Sequence, residues 1–406
     1  MPFIVLEFTV MRRRDFLVGL TALLGGQWIA NWRGPRDIWG ITSSTADKES
    51  PGPPSLPSVI IAAGGDTVLG FNLQSHFDAQ LEAGTSREQL WPLYFAGVKA
   101  MLDSADLALV NLECPFTERG VKLVKNFNFQ ARSELVEILK AGSIDLVTLA
   151  NNHTMDYGSV GLEDTITTLK SAGIAYFGAG ENLARARAPA ILEAQGLRIG
   201  FLGYYFQTAA DMLEPRSLHA TTTSPGVAGC YVDTDCIAQQ VTDDVRRLVP
   251  EVDAAIVYFH WGKENSTEVR DYQVTLAHLC IDLGCKAVLG AHPHRFQGVE
   301  LYRNAPIFYS LGNFVYGGRK DPQDTFSAIA LLHLRKDAPI AATVVPIQVT
   351  RWPEAPFQPF VLANNARDEG LVRIAALSAG FPATLPMLQP HLKKEGPPST
   401  YQEIQR

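Results

Sequence analysis

Between residues 58 and 350, short apolar runs of strand length alternate with longer amphipathic stretches. This is the pattern of βαβ units built around a largely parallel sheet. The clearest predicted strands are Val59 to Ala63, Leu107 to Val110, Ile144 to Leu149, Ala254 to Phe259, Lys286 to Leu289 and Ile307 to Leu311, each too short for a good helix. One helix is predicted from about Val160 to Lys170, where Leu162, Ile166 and Leu169 form an apolar stripe, Ser159 offers an N-cap and Gly173 follows the end. Another spans about Tyr272 to Leu283 and is stopped by Gly284. After Asn313 the runs Ser327 to Leu334 and Ala341 to Val349 read as strands with no helix between them, so the last third turns antiparallel.

The flanks carry no such periodicity. Residues 31–57 are rich in proline, serine and threonine and read as a linker. Residues 351–406 form a proline-rich C-terminal extension whose last stretch, Lys393 to Arg406, is polar and loose. Residues 1–30 hold Arg12-Arg13-Arg14-Asp15-Phe16-Leu17 ahead of an apolar run that Gly25, Gly26 and Gln27 interrupt. This is the layout of a twin-arginine export signal, short of the roughly 20 apolar residues that span a bilayer. Ser44-Thr45-Ala46 is the nearest cleavage candidate, and an uncleaved N-terminal anchor is the alternative. The domain is therefore expected outside the cytoplasm, with membrane association only through its N-terminus.

Composition adds bounds. The chain is 46% hydrophobic and 19% charged, enough apolar material for a full core. Its net charge of -7 has no acidic or basic block, which argues against nucleic-acid binding. Five cysteines are an odd number for an oxidising compartment. Cys230 and Cys236 are spaced to pair, whereas Cys280 and Cys285 lie in an apolar helical stretch and read as core residues.

Polar motifs follow the predicted strands: Gly65-Asp66, Asn111-Leu112-Glu113, Asn151-Asn152-His153, His260-Trp261-Gly262, His292-Pro293-His294 and Gly312-Asn313. In a parallel α/β sheet the C-terminal strand ends share one edge, where ligands bind, so these residues should converge despite their distance in sequence. Imidazole nitrogens with carboxylate and amide oxygens suit one or two divalent transition ions such as Zn, Mn or Fe. Two such ions about 4 Å apart activate a water and clamp an in-line phosphoryl displacement. Asp66, Glu113, Asn152, His260, His292 and His294 are the candidate metal ligands, with Glu113 placed to bridge. His153 would face the substrate as general acid, oriented by Asp156. Asn111, Lys125 and Asn313 are candidate substrate contacts. The Lys125 loop either grips an anionic substrate or staples a surface loop to the core, and Asn313 either meets substrate or holds loop backbone. Trp261 is expected to floor the pocket.

The stretches GGDTVLG, NLECPFT, ANNHTMDYGSVGLEDT, YFGAGEN, HWGKE, GAHPHRFQGVELY and YSLGNFVYGG, in this order over about residues 58–350, resemble the CapA family of capsule and poly-γ-glutamate biosynthesis proteins, within the calcineurin-like metallophosphatase superfamily. The resemblance implies an α/β fold in the form of a four-layer α/β/β/α metallophosphoesterase-like sandwich associated with the cell envelope. Metallophosphatases usually open with Asp-x-His, and here Val68 takes the histidine's place. Two functions follow as expectations. One is a metal-dependent hydrolase acting on an anionic envelope polymer or its precursor. The other is a non-catalytic component that binds or guides poly-γ-glutamate, alone or with other polymer-synthesis subunits.

Overall fold

A computed structural model describes residues 57–211 and 214–381. The twin-arginine segment, the cleavage candidate, nearly all of the 31–57 linker and the polar C-terminal stretch lie outside the described residues. Among those described, no helix is long and apolar enough to cross a membrane.

The strands, in chain order, are β1 (Ser58–Val68), β2 (Leu107–Leu112), β3 (Leu146–Thr148), β4 (Ala175–Phe177), β5 (Ala179–Gly180), β6 (Ala190–Ala194), β7 (Leu197–Phe206) and β8 (Gly226–Val227). They continue with β9 (Ala254–Trp261), β10 (Ala287–Ala291), β11 (Val299–Tyr302), β12 (Ala305–Phe308), β13 (Asn313–Tyr316), β14 (Phe326–Arg335), β15 (Ala341–Gln348) and β16 (Phe360–Val361). One sheet runs β16-β15-β14-β1-β2-β3-β4, with β13 also paired to β1, and a second runs β11-β12-β10-β9-β7-β6. β1, β2, β3 and β4 are parallel, as are β7, β9, β10 and β12. β14 joins β1 antiparallel and β15 joins β14 antiparallel, so the last third turns antiparallel as its pattern predicts.

Successive strand residues point to opposite faces, and that alternation builds the layers. Val59, Ile61 and Ala63 of β1 and Leu107 and Leu109 of β2 meet Ile199, Phe201, Ile256 and Tyr258 of the other sheet in one apolar layer. The opposite face of the first sheet, with Ala62, Ala108 and Val110, packs on Leu73, Phe77, Leu162 and Leu169 from its helices. The outer face of the second sheet carries Leu202, Val257 and Phe259 against Ile237 and Val241 of the helix Thr234–Leu248 and Leu276 of the helix Asp271–Asp282. The result is helix, sheet, sheet, helix, the α/β/β/α sandwich expected from the motifs. Each fully buried Leu, Ile, Val or Phe contributes on the order of 2 kcal/mol to such layers.

Local differences have local causes. The predicted strand at Ile144 to Leu149 is confined to β3, and the run at Ile307 to Leu311 leaves the sheet after Phe308. The helix Gly158–Ala172 starts before Ser159, because the Tyr157 carbonyl already accepts from Gly161 N at 3.3 Å; Gly173 closes it in the left-handed region, φ 73°. Packing also continues past residue 350. β16 pairs with β15, and the helix Asn364–Leu377 places Leu371 and Ile374 in the layer between the sheets. The composition change near residue 350 is therefore not the end of the packed fold.

Cys230 and Cys236 form a disulfide, while Cys114, Cys280 and Cys285 are buried thiols. With six residues of sequence separation, the cross-link closes a short loop. Cys236→Ser is expected to lower unfolding stability by about 2 kcal/mol from chain entropy alone, and an unchanged denaturant midpoint in the substituted chain would contradict this.

Candidate metal centre

The C-terminal strand ends of both sheets meet at one edge, and the polar motifs gather there. Asp66, Asn111, Glu113 and Asn152 come from the first sheet, His260, His292 and His294 from the second. Asp66, Glu113 and His260 are fully buried, Asn152 and His292 nearly so, and His294 is partly buried.

Two overlapping donor groups result. Glu113, His260 and His292 place one ligand atom each within 4.8 Å of one another, and Asp66, Glu113 and His294 do the same. Asn152 joins the first group, its Oδ1 lying 2.9 Å from His260 Nε2, while His292 Nδ1 lies 2.9 Å from that same Nε2. In the second group His294 Nδ1 lies 3.0 Å from Asp66 Oδ2. Glu113 belongs to both groups, with Oε1 3.4 Å from His260 Nε2 and Oε2 3.9 Å from His294 Nδ1. Both its oxygens are buried without a hydrogen-bond partner. A buried carboxylate in that condition costs several kcal/mol unless a cation meets it, so the donor set fits one or two divalent ions.

The electrostatics agree. Burial and the nearby Asp66 charge push Glu113 well above the ordinary carboxylate range. Burial also opposes charge on Asp66, but the hydrogen bond and charge of His294 outweigh it and hold that carboxyl below its usual value. Burial drives His260 down to about 3 and His292 well below the ordinary imidazole value. Both rings are thus neutral at physiological pH, the form that ligates metals. For His294 burial acts downward, yet the Asp66 contact prevails and raises its pKa. The His292-Pro293-His294 turn that aims two imidazoles inward holds both histidines at positive φ, 102° and 53°. Such backbone costs about 1–3 kcal/mol per residue and concentrates at functional sites.

The remaining candidates divide by what they touch. Asn111 is fully buried, and its amide nitrogen reaches Asp66 Oδ1 at 2.8 Å and His260 Nδ1 at 3.1 Å, so it orients ligands beneath the cleft surface. His153 lines the cleft; its Nδ1 is 2.7 Å from Asp156 Oδ2, and its ring lies over Phe129 at 4.2 Å. Asp156 Oδ1 is 2.8 Å from Lys125 Nζ, which also donates to the Asn152 carbonyl at 2.6 Å. These contacts hold the almost fully buried Lys125 side chain at the wall of the cleft, which its loop also lines. Asn313 Oδ1 sits 3.0 Å from His294 Nδ1. Trp261 does not floor the pocket: alternation along β9 turns it to the outer face, where Nε1 donates to the Tyr309 carbonyl at 2.7 Å.

Lys125→Met leaves Asp156 buried without its cation, so it is expected to cost about 3–5 kcal/mol of stability. Urea unfolding checks this, and a loss below about 1 kcal/mol, the usual worth of an exposed pair, would show that the pair does not support the site.

The sequence reading misses Gln207, Glu214, Glu264 and Tyr231. Gln207 Nε2 lies 2.6 Å from His292 Nε2 and donates to the Gly262 carbonyl, fixing that ring from behind. It directly follows β7, so the post-strand rule would have found it had that strand been recognised. Glu214, Tyr231 and Glu264 line a cleft of about 700 Å³ above the metal ligands, together with exposed Phe71, Val124 and Phe127. They lie on loops, where no periodicity marks them.

The family model for the bacterial capsule synthesis protein PGA_cap matches residues 60–317. The chain belongs to the PGA_cap family. The match takes in every candidate site residue, from Asp66 in β1 to Asn313 in β13. PGA_cap relatives include the capsule biosynthesis protein CapA of Bacillus anthracis, 31% identical over 63% of this chain and 61% of that protein. The PGA biosynthesis protein CapA of Bacillus subtilis is 29% identical over 71% of this chain and 72% of that one. The match thus spans about three fifths of the first relative's length. Among solved structures, the 5'-nucleotidase of Candida albicans aligns at TM-score 0.39 and 12% identity, covering 71% of this chain and 52% of that one.

Proposed function

We propose that this PGA_cap protein is an exported, envelope-associated, metal-dependent hydrolase that acts on a phosphoester or related bond in an anionic envelope polymer or its precursor. The observation that carries the proposal is Glu113, buried without a hydrogen-bond partner at the junction of two donor groups. The ions that such a mixed N/O set accepts, Mn, Zn or Fe, supply Lewis acidity and a nucleophilic hydroxide at neutral pH.

The chain's own groups do the rest. Asp156 accepts the Nδ1 proton of His153 and so leaves Nε2 for the substrate. Burial lowers the His153 pKa, with Asp156 opposing, so at neutral pH the resting ring is uncharged and Nε2 presents a lone pair. A bound anion would raise that pKa and turn Nε2 into a donor for the leaving oxygen. The Cys230–Cys236 disulfide supports an oxidising location, and the relatives' names support a role in polymer production.

Elemental analysis of the purified chain, combined with a screen of phosphoester and peptide-bond substrates, tests the proposal. Bound transition metal and metal-dependent turnover of one class are the expected results; absence of metal sinks it. Val68, wholly buried in the apolar layer, favours one second reading, a polymer-binding role without turnover. Metal binding with no cleavage of any substrate would select that reading.

A further inference from the structure

We propose that the side-chain oxygen of Asn313 takes the place of the imidazole absent at position 68, completing an oxygen-rich metal position with Asp66, Glu113 and His294. This rests on the metal reading above and adds to it which residue fills the gap and what kind of ion follows.

Val68 offers no donor. Two residues beyond Asp66, it packs with Leu73 and Phe77 in the layer under the helices. Asn313 approaches from a neighbouring strand. β13 pairs parallel with β1 with Asp66 and Asn313 in register, and Asp66 N donates to the Gly312 carbonyl at 2.9 Å, so the two residues are fixed by backbone rather than by loop chance. Asn313 is nearly fully buried, and its Oδ1 meets a ligand imidazole, not a loop N–H. Asn313 Oδ1 and Asp66 Oδ2 each lie 3.0 Å from His294 Nδ1, and Glu113 Oε2 follows at 3.9 Å. A ring nitrogen holds a single proton to share among these oxygens. Three oxygens gathered about one ring nitrogen outnumber its single proton, and a small cation shared among the four atoms would satisfy them all.

The two positions then differ in kind. Glu113, Asn152, His260 and His292 supply two oxygens and two nitrogens, suited to zinc or iron, whereas Asp66, Glu113, Asn313 and His294 supply three oxygens and one nitrogen. A neutral amide oxygen is a harder and weaker donor than imidazole. The Asn313 position should therefore prefer a hard ion such as manganese and bind more weakly than its neighbour.

The test is calorimetric titration of the metal-stripped full-length chain with Mn2+ and Zn2+, with elemental analysis after dialysis. The unaltered chain is expected to take two ions of unequal affinity. Asn313→Ala should weaken the weaker ion at least 10-fold and leave the tighter one, whereas Asn152→Ala should weaken the tighter one. Asn313→Asp, which keeps the oxygen and adds charge, should tighten the weaker ion; this variant carries the test if Asn313→Ala does not fold. Two ions with unchanged affinities in both Asn313 variants would overturn the assignment and leave the metal reading standing. No ion in the unaltered chain would overturn both.

Discussion

Glu113→Gln is expected to lose both ions and to lower any hydrolytic turnover more than 100-fold, while making the metal-free protein more stable. Replacing residues that merely orient metal ligands typically costs about 10–100-fold, and Glu113 is the one residue shared by both donor groups, so its loss should exceed that range. The stability gain comes from the same geometry. Without an ion, Glu113 is a buried carboxyl whose oxygens have no hydrogen-bond partner, a condition that costs about 1–3 kcal/mol or more. An amide is uncharged at every pH, so the gain is expected where Glu113 is ionised, above its raised pKa.

A pH dependence accompanies it. Burial raises the folded-state pKa of Glu113 above its unfolded value, so its contribution to the metal-free fold is fully present below the ordinary carboxylate pKa and is lost as pH rises through the raised one. Ion binding needs the deprotonated form, so affinity should climb with pH across that window and release a proton. In Glu113→Gln the part of the stability slope that Glu113 contributes should disappear. Thermal unfolding with and without metal, at several pH values, reads all of this; unchanged metal content in the variant would refute the bridging role.

Gly65→Ala is expected to destabilise the fold by about 3 kcal/mol and to weaken the ion held by Asp66. A Cβ built on Gly65 would stand 1.8 Å from the Gly312 carbonyl oxygen. That is backbone against backbone, with no flexible side chain to yield. Relief requires β1 to move from the segment leading into β13, which would lengthen the Asp66 N to Gly312 O hydrogen bond and shift Asp66 relative to Asn313. A urea midpoint within about 0.5 kcal/mol of the parent, the range of ordinary surface substitutions, would contradict the close approach.

Much of this was legible in the chain because a parallel sheet covered on both faces writes its strands as continuous apolar runs. β1, β2, β9 and β10 show it, and the ligand set follows because polar groups at strand ends have only one shared edge to occupy. β7 escaped the pattern because Gly200 and Gly203 interrupt its apolar run. Each is there to admit a neighbour: a Cβ at Gly200 would lie 2.7 Å from Leu248, and one at Gly203 2.8 Å from Thr148 Oγ1. Losing β7 hid Gln207. Trp261 was misplaced for a simpler reason, since a motif read as a block ignores that adjacent strand residues face opposite ways. The commitment of Lys125 to Asp156 could not be read from spacing, because it depends on which loop folds over which.

β1 is the first strand of the domain, yet it lies between β2 and β14, which are separated by more than 200 residues of chain. During synthesis, every proposed ligand has left the ribosome once residue 313 has emerged. The edge of β1 that β14 covers stays open until Phe326–Arg335 arrives. Within β1, β14 pairs only with Ser58–Ala63, whereas Asp66 is aligned by β2 and β13, so the nascent domain carries its donors and the pairing that sets Asp66 beside Asn313 before the first half of β1 is covered.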